Sequence, residues 1–337
     1  MKAWMLIMCL LLASDAATQG SNPPAGPPAL PQTDRPATSQ AAGVPVFRSS
    51  ADLVALNVVA TDPKKRFVPG LLSADFVIFE DGVRQDVSFF AAGDTPIDLA
   101  MLLDTSASMA DKMDVMQRAA QGFAATLRDG DRAMVIDIKQ TARVLHSLDG
   151  PLSEIPAAIK STRASGGTGL YNGLYLAFRE LVKQQVRGEN QRRQAIVLLS
   201  DGQDTNSLVT FDDVMEVARQ AGIATYTITL RTPELTEIEQ AGGARYLSAS
   251  DFLMRSLAQE TGGEAFFPMQ VRELAGVYSS IAKELASQYS LGYTPKILRY
   301  DGSFRRIRVH VADRPDIRVR TRTGYTASRR SSTGTFE

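Results

Sequence analysis

The chain has 337 residues, in which 37 lysines and arginines balance 37 aspartates and glutamates. This length holds one full α/β domain and a smaller companion, and 44% hydrophobic with 22% charged residues is typical of a soluble globular protein. The zero net charge argues against a protein built mainly to coat nucleic acid or an anionic membrane.

Residues 1–17 have the layout of a secretory signal peptide. Lys2 supplies the positive start, Trp4–Ala13 forms a short apolar run, and small residues around Ala16 offer a cleavage site. The run is short for a membrane-spanning helix, although an N-terminal membrane anchor is the alternative. Cleavage would remove the only cysteine and the only tryptophan, so the mature chain would contain no disulfide. We therefore expect an extracytoplasmic protein, which is periplasmic, cell-surface or secreted.

The next two segments differ sharply in composition. Residues 18–45 are rich in Pro, Ala, Ser, Gly and Gln and are predicted to form a disordered linker. Residues 46–94 are predicted to be a β-rich, immunoglobulin-like segment, because apolar residues alternate from Val54 to Ala60. Asp81 and Gly82 lie between two further β-like runs, and both residue types tolerate positive φ, which predicts a hairpin.

From residue 95 to 295 strand-like and helix-like patterns alternate, which is typical of a doubly wound α/β domain with a mostly parallel, Rossmann-like sheet. The first strand, Ile97–Leu103, is almost wholly apolar, as expected for a central parallel strand covered on both faces. The remaining predicted strands are Ala133–Ile138, Ala142–Leu148, Ala195–Leu199 and Ile223–Leu230. Helices are predicted around residues 113–127, 170–181, 211–221, 252–260 and 271–285. The stretch Arg231–Ser250 is irregular and is predicted to be a surface insertion.

A period of two returns at Tyr289, and residues 296–328 are predicted to form a C-terminal β segment. Because one or two hairpins rarely fold alone, we expect this segment to pack with residues 46–94 into one companion domain. The α/β domain would then be an insertion between the two. The arginines from Arg305 to Arg330 are predicted to lie on the solvated face of these strands, and residues 329–337 to be a disordered tail.

Polar side chains follow two of the predicted buried strands and precede one helix. Asp104, Ser106 and Ser108 come directly after the first strand, Asp201 follows the fourth, and Thr168 lies in a glycine-rich loop before a helix. Ligand sites in open α/β sheets lie at the carboxyl ends of strands, so we expect these residues to converge. Two carboxylates and three hydroxyls form a hard, oxygen-only donor set that suits Mg²⁺ or Mn²⁺. An ion with so few charged ligands keeps an open position that accepts a carboxylate from a partner.

The pattern Asp104-x-Ser106-x-Ser108, together with Thr168 and Asp201, resembles the metal-ion-dependent adhesion site of von Willebrand factor A domains. In that family the serines and the threonine contact the ion, and the aspartates bind it directly or through water. The resemblance covers roughly residues 96–295, and the flanking segments look like the secreted bacterial VWFA-related domain proteins. It implies an exported, adhesion-type binding protein with Mg²⁺ (or Mn²⁺) as its cofactor. The implied partner is a protein that offers an Asp or Glu carboxylate.

Other functions are alternatives to this one. Asp104 could serve a metal-dependent hydrolase or a phosphatase-like enzyme, but Ser106 replaces the second aspartate that a phosphatase needs. The only histidines, His146 and His310, do not form a triad-like arrangement, so we predict no catalytic residue and no enzymatic activity. The three loops could also be caps and turns of a metal-free scaffolding module of the cell envelope.

The arginine-rich C-terminal end also raises the possibility of nucleic-acid binding. Its basic residues are not interleaved with aromatic ones for base stacking, so we expect no nucleic acid as a partner. The basic face could instead dock an acidic region of a partner or the anionic cell surface. No membrane span is expected after signal cleavage, because no other stretch is apolar for long enough.

Overall fold

The structure is a computed structural model that describes residues 53–93, 95–186, 192–230 and 248–329. The predicted signal peptide, the linker and residues 330–337 of the predicted tail lie outside these ranges, as do residues 231–247 of the predicted insertion. Within the described ranges, no helix is both long enough and apolar enough to cross a membrane.

Strands and helices alternate through the middle of the chain, and strands alone flank them. The strands are β1 (Val54–Thr61), β2 (Phe76–Glu80), β3 (Val83–Gln85), β4 (Phe89–Ala92), β5 (Ile97–Asp104), β6 (Arg132–Ile138), β7 (Ala142–His146), β8 (Arg193–Ser200), β9 (Ala224–Thr229), β10 (Ala265–Phe266), β11 (Tyr289–Tyr293), β12 (Phe304–Val311), β13 (Arg318–Arg320) and β14 (Gly324–Thr326). The helices are α1 (Met113–Ala124), α2 (Ile155–Ser161), α3 (Leu170–Val186), α4 (Phe211–Ala221), α5 (Ala249–Thr261) and α6 (Leu274–Ser287). This order divides the described chain into an α/β unit, from β5 to α6, and a companion unit built from the flanking strands.

The α/β unit is built on a sheet in which six described strands lie in the order β10-β9-β8-β5-β6-β7. Neighbours pair in parallel except for β6 and β7, which are antiparallel. Every residue of the central strand β5 is buried, because helices cover both faces of the sheet. Alternate apolar residues of β5 pack with α1, α2 and α6 on one face and with α3, α4 and α5 on the other. The predicted doubly wound, mostly parallel α/β fold with a β companion is confirmed.

The ends of α4 and α5 follow ordinary capping chemistry. The Thr210 side chain accepts a hydrogen bond from the Asp213 backbone N–H, and α4 stops at Gly222, whose φ of 66° is left-handed. The side chain of Ser248 caps α5 in the same way. The last residues of the predicted Arg231–Ser250 insertion therefore belong to a helix and its cap.

The companion unit consists, among the described residues, of two four-stranded sheets that enclose one apolar core. Their strand orders are β13-β1-β11-β4 and β14-β12-β2-β3. Strand β12 pairs antiparallel with β2, and β1 pairs with both β11 and β13, so each sheet combines strands from before and after the α/β unit. The predicted hairpin joins β2 to β3, with φ values of 47° at Asp81 and 85° at Gly82.

Strand β11 lies in the companion unit and not in the α/β unit. It pairs with β1 and β4, and its side chains at Tyr289, Leu291 and Tyr293 are buried in the companion core. The α/β range predicted from the sequence, 95–295, therefore extends too far, because α6 stops at Ser287 and the chain enters the companion unit at Tyr289. The other predicted boundaries stay predictions.

Two arginines of the C-terminal segment, Arg305 on β12 and Arg322 between β13 and β14, lie inside the companion unit, which corrects the prediction that they are solvated. The Arg305 guanidinium donates two hydrogen bonds to Glu80 Oε1, at 3.1 and 2.7 Å, and both side chains are almost fully buried. The Tyr293 and Tyr325 hydroxyls donate to Glu80 Oε2. Arg322 is also buried and donates to a backbone carbonyl of β1. These charges tolerate burial because each has hydrogen-bonding partners there.

Candidate functional site

Asp104 is the last residue of β5, and none of its surface is exposed (0%). Its Oδ1 accepts a hydrogen bond from the Ser106 backbone N–H at 2.9 Å, and its Oδ2 accepts one from Ser200 Oγ at 2.6 Å. Ser200 ends β8, the strand beside β5. The carboxylate is therefore fixed where two neighbouring parallel strands end, which is where ligands bind in open α/β sheets.

Hydroxyl contacts link Asp104 and its loop to Asp201. Ser106 Oγ and Ser108 Oγ lie 3.0 Å apart, and Ser108 Oγ donates to Asp201 Oδ2 at 2.6 Å. Ser106 is buried, whereas Ser108 is exposed. These four residues, called here the Asp104 cluster, begin at a buried carboxylate and end at the protein surface.

The glycine-rich loop that carries Thr168 is tied to the Asp104 loop by backbone hydrogen bonds. The Ser165 N–H donates to the Thr105 carbonyl at 2.9 Å, and the Ala107 N–H donates to the Gly166 carbonyl at 3.0 Å. Gly166 has a φ of 71°, a left-handed conformation that favours glycine. The structure thus places the loop that carries Thr168 against the loop that carries Asp104, Ser106 and Ser108.

The segment 204–207, called here the Thr168 clasp, holds the other side of this loop. The Thr168 N–H donates to Thr205 Oγ1 at 2.9 Å, and the Thr168 carbonyl accepts from the N–H groups of Thr205 and Asn206 at 2.9 and 3.0 Å. A Cβ on Gly167 would lie 2.0 Å from Asn206 Oδ1, so a larger residue at this position would require the Asn206 side chain to move. Thr168 is consequently buried and held from two directions.

Within the clasp, Asp204 fixes the start of α3. Its Oδ1 accepts hydrogen bonds from the backbone N–H groups of Leu170 at 2.8 Å and Tyr171 at 3.3 Å. The first N–H groups of a helix have no partner inside the helix, so an outside carboxylate stabilises them. Sequence reasoning misses Asp204, because it caps a helix that begins 34 residues earlier and no local motif marks it.

The Asp104 cluster holds two carboxylates without a basic partner. Burial raises the pKa of Asp104, and the Asp201 carboxylate raises it further, while hydrogen bonds from Ser106 and Ser200 oppose the shift. Within the described ranges, neither carboxylate has a lysine or arginine nitrogen within 4.0 Å. Lys112, which follows the loop, pairs with Asp111, and its ammonium donates to the Ser108 backbone carbonyl at 3.0 Å rather than to either carboxylate of the cluster. A buried carboxylate without an ion-pair partner is costly, so the arrangement fits a bound cation.

The donor atoms around Asp104 are all oxygens. The described residues contain no group of three or more His, Cys, Asp or Glu side chains placed to hold a metal ion. The Asp104 cluster has a different composition, with two carboxylates and two hydroxyls and with the Thr168 loop beside it. Such a hard donor set suits Mg²⁺ or Mn²⁺ better than copper or iron.

Both histidines are engaged elsewhere in the structure. The ring nitrogens of His146 lie 2.9 and 3.1 Å from the backbone carbonyl oxygens of Ala133 and Pro151. His310 stacks on Phe79 in the companion unit, with ring centroids 5.7 Å apart. Neither imidazole contacts the Asp104 cluster in the described structure.

A family model described as the von Willebrand factor type A domain matches residues 99–203. The matched range begins within β5 and ends just after Asp201, so it includes all five predicted ligands. The matched range lies within the α/β unit and includes none of the described strands of the companion unit.

Curated relatives match over only part of their length. The chain is 25% identical over 205 residues to a UPF0353 protein of Mycobacterium avium, which covers 55% of this chain and 59% of that protein. It is 31% identical over 112 residues to an uncharacterized protein of Synechocystis sp., which covers 32% and 26%. The chain thus spans less than two thirds of the length of these relatives. Among solved structures, it is similar to a von Willebrand factor type A protein from Catenulispora acidiphila, with a TM-score of 0.46, 13% identity, and 75% and 74% of the two chains covered.

Proposed function

We propose that this chain, in which residues 99–203 match the von Willebrand factor type A domain, binds a protein partner through a divalent metal ion at the Asp104 cluster. Domains of this family are generally interaction modules. The proposed ligands are Asp104, Ser106, Ser108, Thr168 and Asp201.

One observation carries the proposal. The fully buried Asp104 carboxylate lies beside hydroxyls that lead to a second carboxylate, and neither has an ion pair with lysine or arginine in the described ranges. A divalent cation would provide the missing positive charge, and Mg²⁺ or Mn²⁺ suits oxygen donors. When bound, such an ion supplies a position that accepts a carboxylate oxygen.

An acidic group of the partner would complete the coordination. Two carboxylates balance the charge of a divalent ion without exceeding it, so a coordination position that the protein leaves open can accept a third carboxylate. Ser108, at the exposed end of the cluster, gives a partner access to this position. Because neither histidine contacts the cluster, we propose a binding role and no catalytic one.

The proposed place of action is outside the cytoplasm, in the periplasm, at the cell surface or after secretion. The support for this proposal is the signal-like sequence of residues 1–17.

Titration calorimetry with Mg²⁺ and Mn²⁺ tests the metal site directly. We expect the wild type to take up one of these ions and Asp104→Ala to take up neither, because the variant removes the buried carboxylate. Asp111→Ala is the matched control, since Asp111 is an exposed carboxylate in the following turn and pairs only with Lys112. Equal uptake by the wild type and Asp104→Ala, or no uptake by the wild type, would contradict the proposal.

A further inference from the structure

The outer face of the sheet β14-β12-β2-β3 carries a concentration of basic and aromatic side chains, which are exposed except for the half-buried Phe79. These residues, called here the basic face, are Arg84, Arg306, Arg308, His310, Phe79 and Phe304. We propose that the basic face is a second binding site, independent of metal, for an extended acidic peptide segment of a partner protein.

The centre of the basic face is a row across three strands. Phe79 on β2 lies directly opposite Arg84 on β3 and Arg308 on β12. Residues opposite one another in an antiparallel pair project from the same face, so these three side chains form one row across the sheet. His310 stacks on the same ring with an interplanar angle of 14°. A basic row around an aromatic ring offers both charge and apolar contact to a ligand.

These cations are not neutralised by the protein itself. Arg84, Arg306 and Arg308 are exposed, and within the described ranges their guanidinium groups form no ion pair. Other arginines of the same region do have partners: Arg305 pairs with Glu80, and Arg219 pairs with Glu260. Since the whole chain has no net charge, the basic face is a local excess that favours an anionic ligand.

The carboxylate of the hairpin turn at this face, Asp81, is already engaged. Asp81 Oδ1 accepts the Arg306 backbone N–H at 2.9 Å, and its Oδ2 lies 3.2 Å from an Arg305 nitrogen. Asp81 therefore does not neutralise the exposed guanidinium group of Arg306. Among the described residues no carboxylate pairs with this guanidinium group, so its charge is available to another molecule.

The face also has room for a ligand. An open depression of about 680 Å³ is lined by Phe79, Phe304, Arg306, Arg308 and His310, together with the hairpin turn. Phe304 is 43% exposed, although it is a large apolar side chain. An exposed aromatic ring beside unpaired arginines is typical of a binding surface rather than of a merely solvated one.

The spacing of the basic side chains favours an extended peptide as the occupant. Arg306, Arg308 and His310 alternate along one strand, so these side chains recur about every 6.8 Å. A peptide in the extended conformation places every second side chain at the same interval and on the same side. Acidic residues at alternate positions would therefore meet the basic residues one by one, and the intervening atoms would contact Phe79 and Phe304.

Fluorescence anisotropy with the full chain tests this proposal. The probe is a fluorescein-labelled peptide that alternates Glu with Thr, and the comparison is a peptide of the same composition with its glutamates in one block. All titrations contain EDTA, so that binding at the Asp104 cluster does not contribute. We expect the alternating peptide to bind more tightly than the block peptide, and added salt to weaken both complexes.

Variants locate the site. The double variant Arg306→Gln/Arg308→Gln should lower the affinity for the alternating peptide about tenfold, because each lost charge pair at an exposed site contributes modestly. The Lys substitutions at the same two positions should retain most of the affinity. Arg118→Gln, an exposed arginine on α1 in the α/β unit, should change nothing. Circular dichroism of each variant checks that the fold is intact, and the Lys variant keeps the test valid if the Gln variant does not fold.

Several results would overturn the proposal. Undiminished peptide binding by the Gln variant would place the peptide elsewhere. Equal affinity for the two peptides would contradict the claim that alternate acidic residues of an extended peptide match the basic side chains. Binding to phosphatidylglycerol vesicles without binding to either peptide would identify a membrane surface as the ligand instead. No binding in EDTA, but binding in a separate titration with Mg²⁺, would assign the peptide to the metal site, which supports the proposed function but not this second site.

Discussion

At the residue scale, the buried carboxylate of Asp104 should make folding stability depend on the metal. A ligand that binds only the folded state stabilises it by about 2.7 kcal/mol at a concentration about 100-fold above its Kd. We therefore expect Mg²⁺ to raise the thermal unfolding temperature of the wild type and to have no effect on Asp104→Asn. Differential scanning calorimetry with Mg²⁺ and with EDTA measures both.

The stabilities of the wild type and Asp104→Asn should also be compared in EDTA, where no metal is bound. An amide at position 104 can still accept the Ser106 N–H but carries no charge, so Asp104→Asn should be at least as stable as the metal-free wild type. A clear loss of stability in EDTA would mean that the Asp104 carboxylate acts as a structural cap rather than as a metal ligand.

At the element scale, the Thr168 clasp should couple the start of α3 to metal affinity. Asp204→Ala removes the acceptor for two N–H groups of α3, and loss of a helix cap costs about 1 kcal/mol of folding stability. It should also weaken metal binding, because the clasp positions the Thr168 loop. Chemical denaturation and calorimetry measure the two effects on the same samples.

Thr210→Ala provides the control for this coupling. Thr210 caps α4 through the Asp213 N–H, so its loss should cost a similar stability without touching the Thr168 loop. If both variants weaken metal binding equally, the effect belongs to general destabilisation and the clasp has no positioning role.

At the scale of the whole molecule, the shared sheets of the companion unit predict which truncations fold. A chain that ends after Pro295 lacks β12, which lies between β14 and β2, and should expose the companion core and aggregate. A chain of residues 95–288 should stay monomeric, because the α/β unit has hydrophobic layers on both faces of its own sheet. Size-exclusion chromatography distinguishes the two outcomes, and a stable monomer from the first chain would contradict the shared-sheet argument.

Export gives a second prediction at this scale. If residues 1–17 are removed during secretion, the mature protein should show no tryptophan fluorescence, because the only tryptophan is Trp4. Mass spectrometry of the N-terminus checks the cleavage position, and an intact Met1 in exported material would refute it.

Local patterns predicted the parts of the fold that depend on neighbouring residues. The wholly apolar run of β5, the hairpin at Asp81 and Gly82, and the stop of α4 at Gly222 are all visible in short windows of sequence. Helix α2 is not visible in this way, because Ile155 and Ile159 are the only buried residues among its seven. Short elements with few core contacts give too weak a period to detect.

Long-range partners explain the remaining differences. The alternation of residues along its strand predicts that Arg305 is solvated. It is buried instead, because it pairs with Glu80 on the neighbouring strand β2, which lies far away in sequence. Asp204 looks like a loop residue, and its role is set by a helix that begins well before it. The DxSxS loop could be predicted because its residues are adjacent, whereas the residues that support Thr168 depend on how the loops meet in the folded protein.

The chain leaves and re-enters the companion unit at adjacent points. Ala92 at the end of β4 pairs with Tyr289 at the start of β11, and the Gly93 N–H donates to the Gln288 carbonyl at 3.1 Å. While the α/β unit is unfolded, it forms a long flexible loop, and closing this loop costs entropy that disfavours pairing of β4 with β11. Once the unit is folded, its two ends lie close together and this cost is small. Folding of the α/β unit therefore removes most of the entropic cost of bringing β4 and β11 together. We expect the α/β unit to fold before these two strands pair. Pulse-labelling hydrogen exchange during refolding should find amides of β5 and β8 protected before those of β4 and β11.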